Sequence, residues 1–205
     1  MRPLILLSGL APGGAEQVTV DFLRFLADQG EPVPLCTLTD RFDGAPARRL
    51  AEREVVRHDL GARRLLDPRA LRRLVSLVRR QGFDLVHAHG QDAAIMSSAA
   101  RRFAPFRLLV TRHVLEEPGG GLRQRVRARL ALRALRRADA PVAVSRAVAD
   151  RLGALSSIHA ERIRVIRNGI PLERFDLAQL RGRRAGLRES MGIGPQDLLV
   201  LFPSV

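Results

Sequence analysis

At 205 residues the chain can bury one sizeable core, so one domain plus a short extension is the expectation. With 46% hydrophobic and 27% charged residues, and too little Gly and Pro for a disordered chain, the composition is globular. The formal charge is +14 and all 35 basic residues are Arg. A GC-rich coding sequence that replaces Lys with Arg on solvated helix faces gives this excess; so does attraction to nucleic acid or an anionic membrane surface. Trp and Tyr are absent, so stacking on a base or sugar falls to Phe, His or Arg. Cys36, the single cysteine, excludes an internal disulfide and reads as a small core residue of a strand. The apolar run Leu4 to Leu7 is too short for a signal peptide, and none approaches the roughly 20 residues of a membrane span. These features predict a cytoplasmic protein, with peripheral contact at the inner membrane face left open.

In chain order, Pro3 to Ser8 reads as a buried strand and Gly9 to Gly14 as a turn-rich loop. Val18, Phe22, Phe25 and Leu26 recur at helical spacing from Gly14 to Gln29, and Gly30 ends the pattern. Pro32 to Leu38 is a second strand, Asp40 to Ala47 a polar loop and Glu54 to Asp59 a short strand. Asp67-Pro68 starts a helix with Leu71, Leu74, Val75 and Val78 on one face, stopped by Gly82. Asp84 to His89 is a strand, Ala93 to Phe103 a helix and Arg107 to Thr111 a strand. Gly119 to Gly121 reads as flexible and Leu122 to Arg137 as a strongly basic helix. Pro141 to Val144 is a strand, Ser145 to Leu155 a helix and Arg162 to Ile166 a strand. Strand and helix alternate at least five times, which predicts an α/β fold: a Rossmann-like parallel sheet with helices on both faces. After the turn at Asn168-Gly169-Ile170-Pro171 come a basic helix, Arg181 to Met191, and an apolar strand from Asp197 to Phe202. The expected division is 1–170 and 171–205.

Ligands of such sheets bind at the carboxyl ends of the strands, and the notable motifs fall there. Pro12-Gly13-Gly14-Ala15-Glu16 lets the backbone approach a ligand at a helix start whose N–H groups suit phosphate, although a plain strand-to-helix turn uses the same residues. It is neither a dinucleotide fingerprint nor a Walker loop, which argues against a nicotinamide or ATP site and against a dinucleotide-dependent epimerase. In Asp84-Leu85-Val86-His87-Ala88-His89-Gly90 the two histidines point to one face. No third ligand stands at a recognisable spacing for zinc, so His87 reads as a satisfied core residue and His89, beside Gly90, as the one placed to meet ligand. In Thr111-Arg112-His113 the Arg suits phosphate and the His a hydroxyl. Ser145 is a good N-cap, and Arg146 can reach an anion from that helix start. Asn168-Gly169 is a turn that needs no ligand.

Taken in order, Gly-Gly-Ala-Glu, Asp-Leu-Val-His-Ala-His, Thr-x-His, the Val144 to Leu152 segment (Val-Ser-x4-Asp-x-Leu) and Arg-Ile-x-Val-Ile-x-Asn-Gly-Ile resemble the N-terminal half of retaining GT-B glycosyltransferases of family 4. The resemblance implies that Gly13 and Gly14 close near a donor diphosphate, with Glu16 in the same loop, and that His113 faces the reacting sugar. It places His89 and Gly90 beside the acceptor and Asn168 and Gly169 at a hinge into a second domain. Thr111, Arg112, Ser145, Arg146 and Asn168 complete the expected substrate-binding set. Such enzymes move a hexosyl unit from a nucleotide sugar to a glycan, lipid or small-molecule acceptor with retention. They use no cofactor beyond that co-substrate and no metal for the chemistry. The basic pair and Glu-x7-Glu motif that hold the donor lie in a C-terminal half that the resemblance does not find here, so a further domain or partner chain is expected and the fragment alone is expected to be inactive. In membrane-associated relatives a basic amphipathic helix in this region meets anionic lipid; here the basic helix reads either that way or, the reading favoured, as a solvated face of an Arg-rich chain. The competing reading is a non-catalytic module binding nucleic acid or a membrane surface, but no RRM, KH, zinc-finger or helix-turn-helix signature supports nucleic acid as a partner.

Overall fold

The computed structural model describes residues 1–114, 121–172 and 176–201. Two compact units divide at Asn168 and Gly169. The first holds a sheet of seven parallel strands: β1 Pro3–Leu7, β2 Leu35–Thr37, β3 Arg57–Asp59, β4 Leu85–His89, β5 Arg107–Arg112, β6 Ala140–Ala143 and β7 Arg164–Val165. Their order is β3-β2-β1-β4-β5-β6-β7. The intervening helices are α1 Gly14–Asp28, α2 Gly44–Ala51, α3 Pro68–Gln81, α4 Gln91–Ala100, α5 Leu122–Arg136 and α6 Arg146–Ser156. A 3-10 turn, Ala160–Arg162, precedes β7.

Strand alternation assigns the helices to faces. Ile5, Leu7 and Leu35 pack with Val20 and Leu23 of α1 and Ala47 and Leu50 of α2. Leu4, Leu6, Val86, Ala88, Leu108 and Val110 pack on the other side with α3, α4, α5 and α6. The chain therefore changes face between β1 and β4, which lie side by side, with Ile5 paired to His87. That is the point where loops diverge and an open α/β sheet leaves a crevice.

Local signals act as expected at several ends. Asp67 caps α3 by accepting from Arg69 N at 2.9 Å, and Gly82 closes it at φ 64°. Ser145 caps α6 by accepting from Val148 N at 3.2 Å. Cys36 is buried in β2, where desolvation raises its thiol pKa and leaves it inert.

Elsewhere the structure corrects the expectation. The polar stretch from Asp40 contains α2, which the sequence pattern hides because its buried residues are Pro46, Ala47 and Leu50. Three Arg–acid pairs fasten α2 and the residues after it to α1: Arg49–Asp21, Arg24–Glu52 at 2.7 Å and Arg53–Asp28 at 2.6 Å. Part of the Arg excess is thus structural rather than merely solvated. On α1 the buried residues are Thr19, Val20 and Leu23, whereas Phe22 and Phe25 are 42% and 60% exposed, so the helix is rotated from the face its large apolar residues suggest.

The second unit contains α7, Leu177–Ser190, which starts earlier than the sequence indicates. Its C-terminal turn is closed by Ile193 N donating to Arg188 O at 2.9 Å and by Arg188 Nη2 donating to Asp197 O at 2.7 Å. The expected strand from Asp197 does not form over residues 197–201, and Leu198 and Val200 stand 91% and 79% exposed. A strand needs a neighbour for its ladder, and none pairs with this one among the described residues. Gly119, Gly120 and Phe202 lie outside the described residues. Among the described residues no helix is long and apolar enough to cross a membrane.

Candidate functional site

Two helix starts follow the carboxyl ends of β1 and β4. Gly13 is the N-cap of α1, on the loop from β1, and Glu16 in the first turn folds its carboxylate back over Gly13. Gly14, the first helical residue, faces open space. Gly90 is the N-cap of α4, directly after β4, at φ 83° and ψ −177°, a conformation that essentially only Gly adopts. At both ends the N-cap residue makes no side-chain cap bond, and the positive end of a helix dipole points to one rim of the sheet.

Between them lies a cluster of imidazoles. His87 and His89 share a face of β4, with ring centroids 4.1 Å apart. His87 Nε2 is 2.8 Å from Thr111 Oγ1 on the neighbouring β5, which satisfies the core role read for His87. His89 Nδ1 is 3.0 Å from Nε2 of His113, just past the end of β5, and 3.3 Å from Thr19 Oγ1 of α1. Gly90 N donates to Thr111 O at 3.1 Å, which ties the helix start to the same strand end. Among the described residues no group of three or more His, Cys, Asp or Glu is placed to hold a metal ion.

Burial sets the protonation. It lowers His87 to about 3, with repulsion from His113 adding to the effect. Burial also holds His89 well below the ordinary 6.5, helped by His87 and His113. His113 is lowered by burial and then by the Arg112 charge. All three are therefore neutral near pH 7 and act as hydrogen-bonding groups rather than cations. Arg112 is 2% exposed, its pKa lowered to about 10 by burial while the Asp92 carboxylate opposes the drop, so it keeps its positive charge at the strand end. Asp92, in the first turn of α4, also accepts from Arg127 Nε of α5 at 2.6 Å.

Of the residues singled out from sequence, Gly13, Gly14, Glu16, His89, Gly90, Thr111, Arg112 and His113 all fall at the carboxyl ends of β1, β4 and β5. Ser145 and Arg146 open α6 one strand further along, where Val144 N donates to Arg112 O at 3.2 Å. Arg146 is exposed, and Ser145 is accounted for as a cap. Asn168 is exposed beyond β7, and no described bond joins it to the imidazoles. Thr19 was not legible as a site residue: it lies inside α1, where a polar residue between Val18 and Val20 carries no positional signal. Asp92 and Arg127 are 35 positions apart and pair only through the fold.

Comparison with known proteins adds the family. No curated protein sequence matches the chain. Among solved structures, Anabaena Alr3699/HepE in complex with UDP is 22% identical with TM-score 0.71 over 94% of this chain and 50% of that one. The same protein with UDP-glucose aligns with TM-score 0.71 and 22% identity over 93% of this chain and 49% of that one. A glycosyltransferase from Rickettsia africae ESF-5 is 16% identical with TM-score 0.67, covering 95% of this chain and 50% of that one. At these identities the likeness is one of fold, the half-domain of a GT-B architecture, and the chain spans about half the length of these proteins. The sequence model described as Glycosyltransferase Family 4 matches residues 12–174, a span that contains every candidate residue above. The chain belongs to glycosyltransferase family 4.

Proposed function

We infer that this chain is the acceptor-side half of an enzyme that transfers a hexosyl unit from a nucleotide sugar to an acceptor with retention at the anomeric carbon. The observation that carries the reading is the neutral imidazole pair His89–His113 at the carboxyl edge of the sheet, between two glycine-capped helix starts. A sugar is read through hydroxyls, and neutral imidazoles donate to and accept from hydroxyls. In this reading His113 touches the reacting sugar, and His89 and Gly90 border the acceptor. The start of α1 at Gly13 and Gly14, with Glu16 beside it, lies near the donor diphosphate. Helix ends and Arg112 supply the positive charge that favours the leaving diphosphate, so the reading calls for no metal. Thr111 and Ser145 position the strand end and the helix start, and Arg146 and Asn168 border the cleft from their own elements. The solved Anabaena relative holds UDP and UDP-glucose, which supports a nucleotide sugar as co-substrate here.

Residues 169–205 are assigned to the beginning of a donor-side domain, with the rest supplied by further sequence or a partner chain. Transfer assayed with a panel of nucleotide sugars tests this: activity is expected when this chain is joined to a donor-side domain, with the anomeric configuration preserved, and none from the 205 residues alone. Inversion, or full activity of the isolated chain, contradicts the reading. A peripheral membrane role is favoured by α5, where Leu122 and Val126 stand exposed among Arg123, Arg125 and Arg129.

A further inference from the structure

We propose that Thr19 is a positioning residue that fixes the proton on Nδ1 of both His89 and His113, so that the pair presents an acceptor at the outer nitrogen of His89 and a donor at the outer nitrogen of His113 to bound hydroxyls. Thr19 Oγ1 lies 2.7 Å from Ala15 O, its partner one turn back in α1. A carbonyl cannot donate, so the single hydroxyl proton of Thr19 sits on that bond. The oxygen then has only lone pairs for His89 Nδ1 at 3.3 Å, and the contact is a hydrogen bond when Nδ1 of His89 carries hydrogen. The same N–H faces His113 Nε2 at 3.0 Å, and two N–H groups cannot point at each other there. His113 Nε2 therefore accepts, and a neutral His113 holds its proton on Nδ1.

The two remaining ring nitrogens are the ones without a partner among the described residues: His89 Nε2 and His113 Nδ1, both buried. Under this arrangement the first is an acceptor and the second a donor. With the rings joined at 3.0 Å and their centroids 5.3 Å apart, the two free nitrogens stand at opposite ends of the pair, so each meets its own hydroxyl: one that donates to His89 Nε2 and one that accepts from His113 Nδ1. If Thr19 did not direct its proton to Ala15, the His113 Nε2–H tautomer would be equally available, and the donor and acceptor would exchange places. The consequence for sugar recognition rests on the transferase reading above; the proton arrangement rests on the geometry alone.

Nitrogen-15 labelling of the histidines and a long-range proton–nitrogen correlation spectrum at neutral pH, assigned with His89→Gln and His113→Gln, tests this directly. The expected result is a protonated, pyrrole-type Nδ1 and a bare, pyridine-type Nε2 on both rings. Thr19→Val, which keeps the shape and removes the hydroxyl, is expected to move both rings toward Nε2–H, and Thr19→Ser to restore the original pattern. A protonated Nε2 on either ring of the unaltered chain overturns the proposal, and this readout decides even where Thr19→Val does not fold. Tautomers unmoved by a folded Thr19→Val overturn it too. In the complete enzyme, Thr19→Val is expected to lower kcat with KM little changed and Thr19→Ser to recover it. An unchanged kcat beside the expected spectrum refutes the transferase use of the pair and leaves the proton arrangement standing.

Discussion

His89 and His113 meet across the ends of β4 and β5, Nδ1 of one 3.0 Å from Nε2 of the other, and both rings are kept neutral by burial. Two consecutive strands of a parallel sheet thus deliver imidazoles to one point without help from local sequence. The register does it: His89 pairs with Thr111, and His113 follows two residues on.

The buried imidazoles make the fold sensitive to acid. Their folded pKa values lie below the unfolded 6.5, with His87 at about 3, so the unfolded state binds more protons over that interval. Stability is fully present above about pH 6.5 and falls as the pH drops toward 3. Thermal midpoints measured from pH 7 to pH 4 are expected to decline steadily below 6.5. A midpoint flat over that range contradicts the assignment of neutral, desolvated rings.

The two cap glycines differ in what they tolerate. Gly90 sits at φ 83°, where a side chain is strained, so Gly90→Ala is expected to cost on the order of 1–3 kcal/mol in denaturant unfolding. Gly13 is extended at φ −176°, and a Cβ there meets only the movable Glu16 carboxylate. Gly13→Ala is therefore expected to leave stability nearly unchanged and to weaken the Michaelis constant for the donor in the complete enzyme. Equal destabilisation by both substitutions goes against this account.

Ser145 serves α6 as its cap, so Ser145→Ala is expected to lower stability by about 1 kcal/mol. Its effect on turnover, measured in the same preparation, is expected to be small. A large loss of kcat with little loss of stability assigns Ser145 to the chemistry instead.

The basic face of α5 is expected to bind vesicles containing anionic lipid and to release them as salt rises, since the attraction is about 1 kcal/mol per Arg and is screened. Sedimentation with neutral vesicles is the control. Replacing Arg123, Arg125 and Arg129 with Gln is expected to abolish it; retention of binding by that variant places the contact elsewhere.

Most of the sheet was legible because parallel strands are short apolar runs and their caps are local: Asp67-Pro68, Gly82 and Ser145 act where the chain says they act. The placement of the candidate residues was legible because they stand where strands end or helices begin: His89 closes β4, His113 follows β5, and Gly13 and Gly90 cap α1 and α4. Helix α2 was not, since its small buried face of Pro46, Ala47 and Leu50 has no strong period and its docking runs through Arg–acid pairs to α1. The face of α1 was misjudged because Phe22 and Phe25 look like core while the smaller Thr19, Val20 and Leu23 are what the sheet accepts. Thr19 becomes informative only when β4 is placed beneath it.

In the proposed transferase reading the β4–β5 edge meets the reacting sugar. The most direct measurement is nucleotide release from the donor sugar by the complete enzyme, comparing His113→Ala with a substitution far from the edge, Arg53→Ala. We expect kcat/KM to fall by roughly 100-fold or more for His113→Ala, the scale of losing a hydrogen bond made in the transition state, and to hold for Arg53→Ala. Equal rates for His113→Ala and the unaltered enzyme would contradict the account.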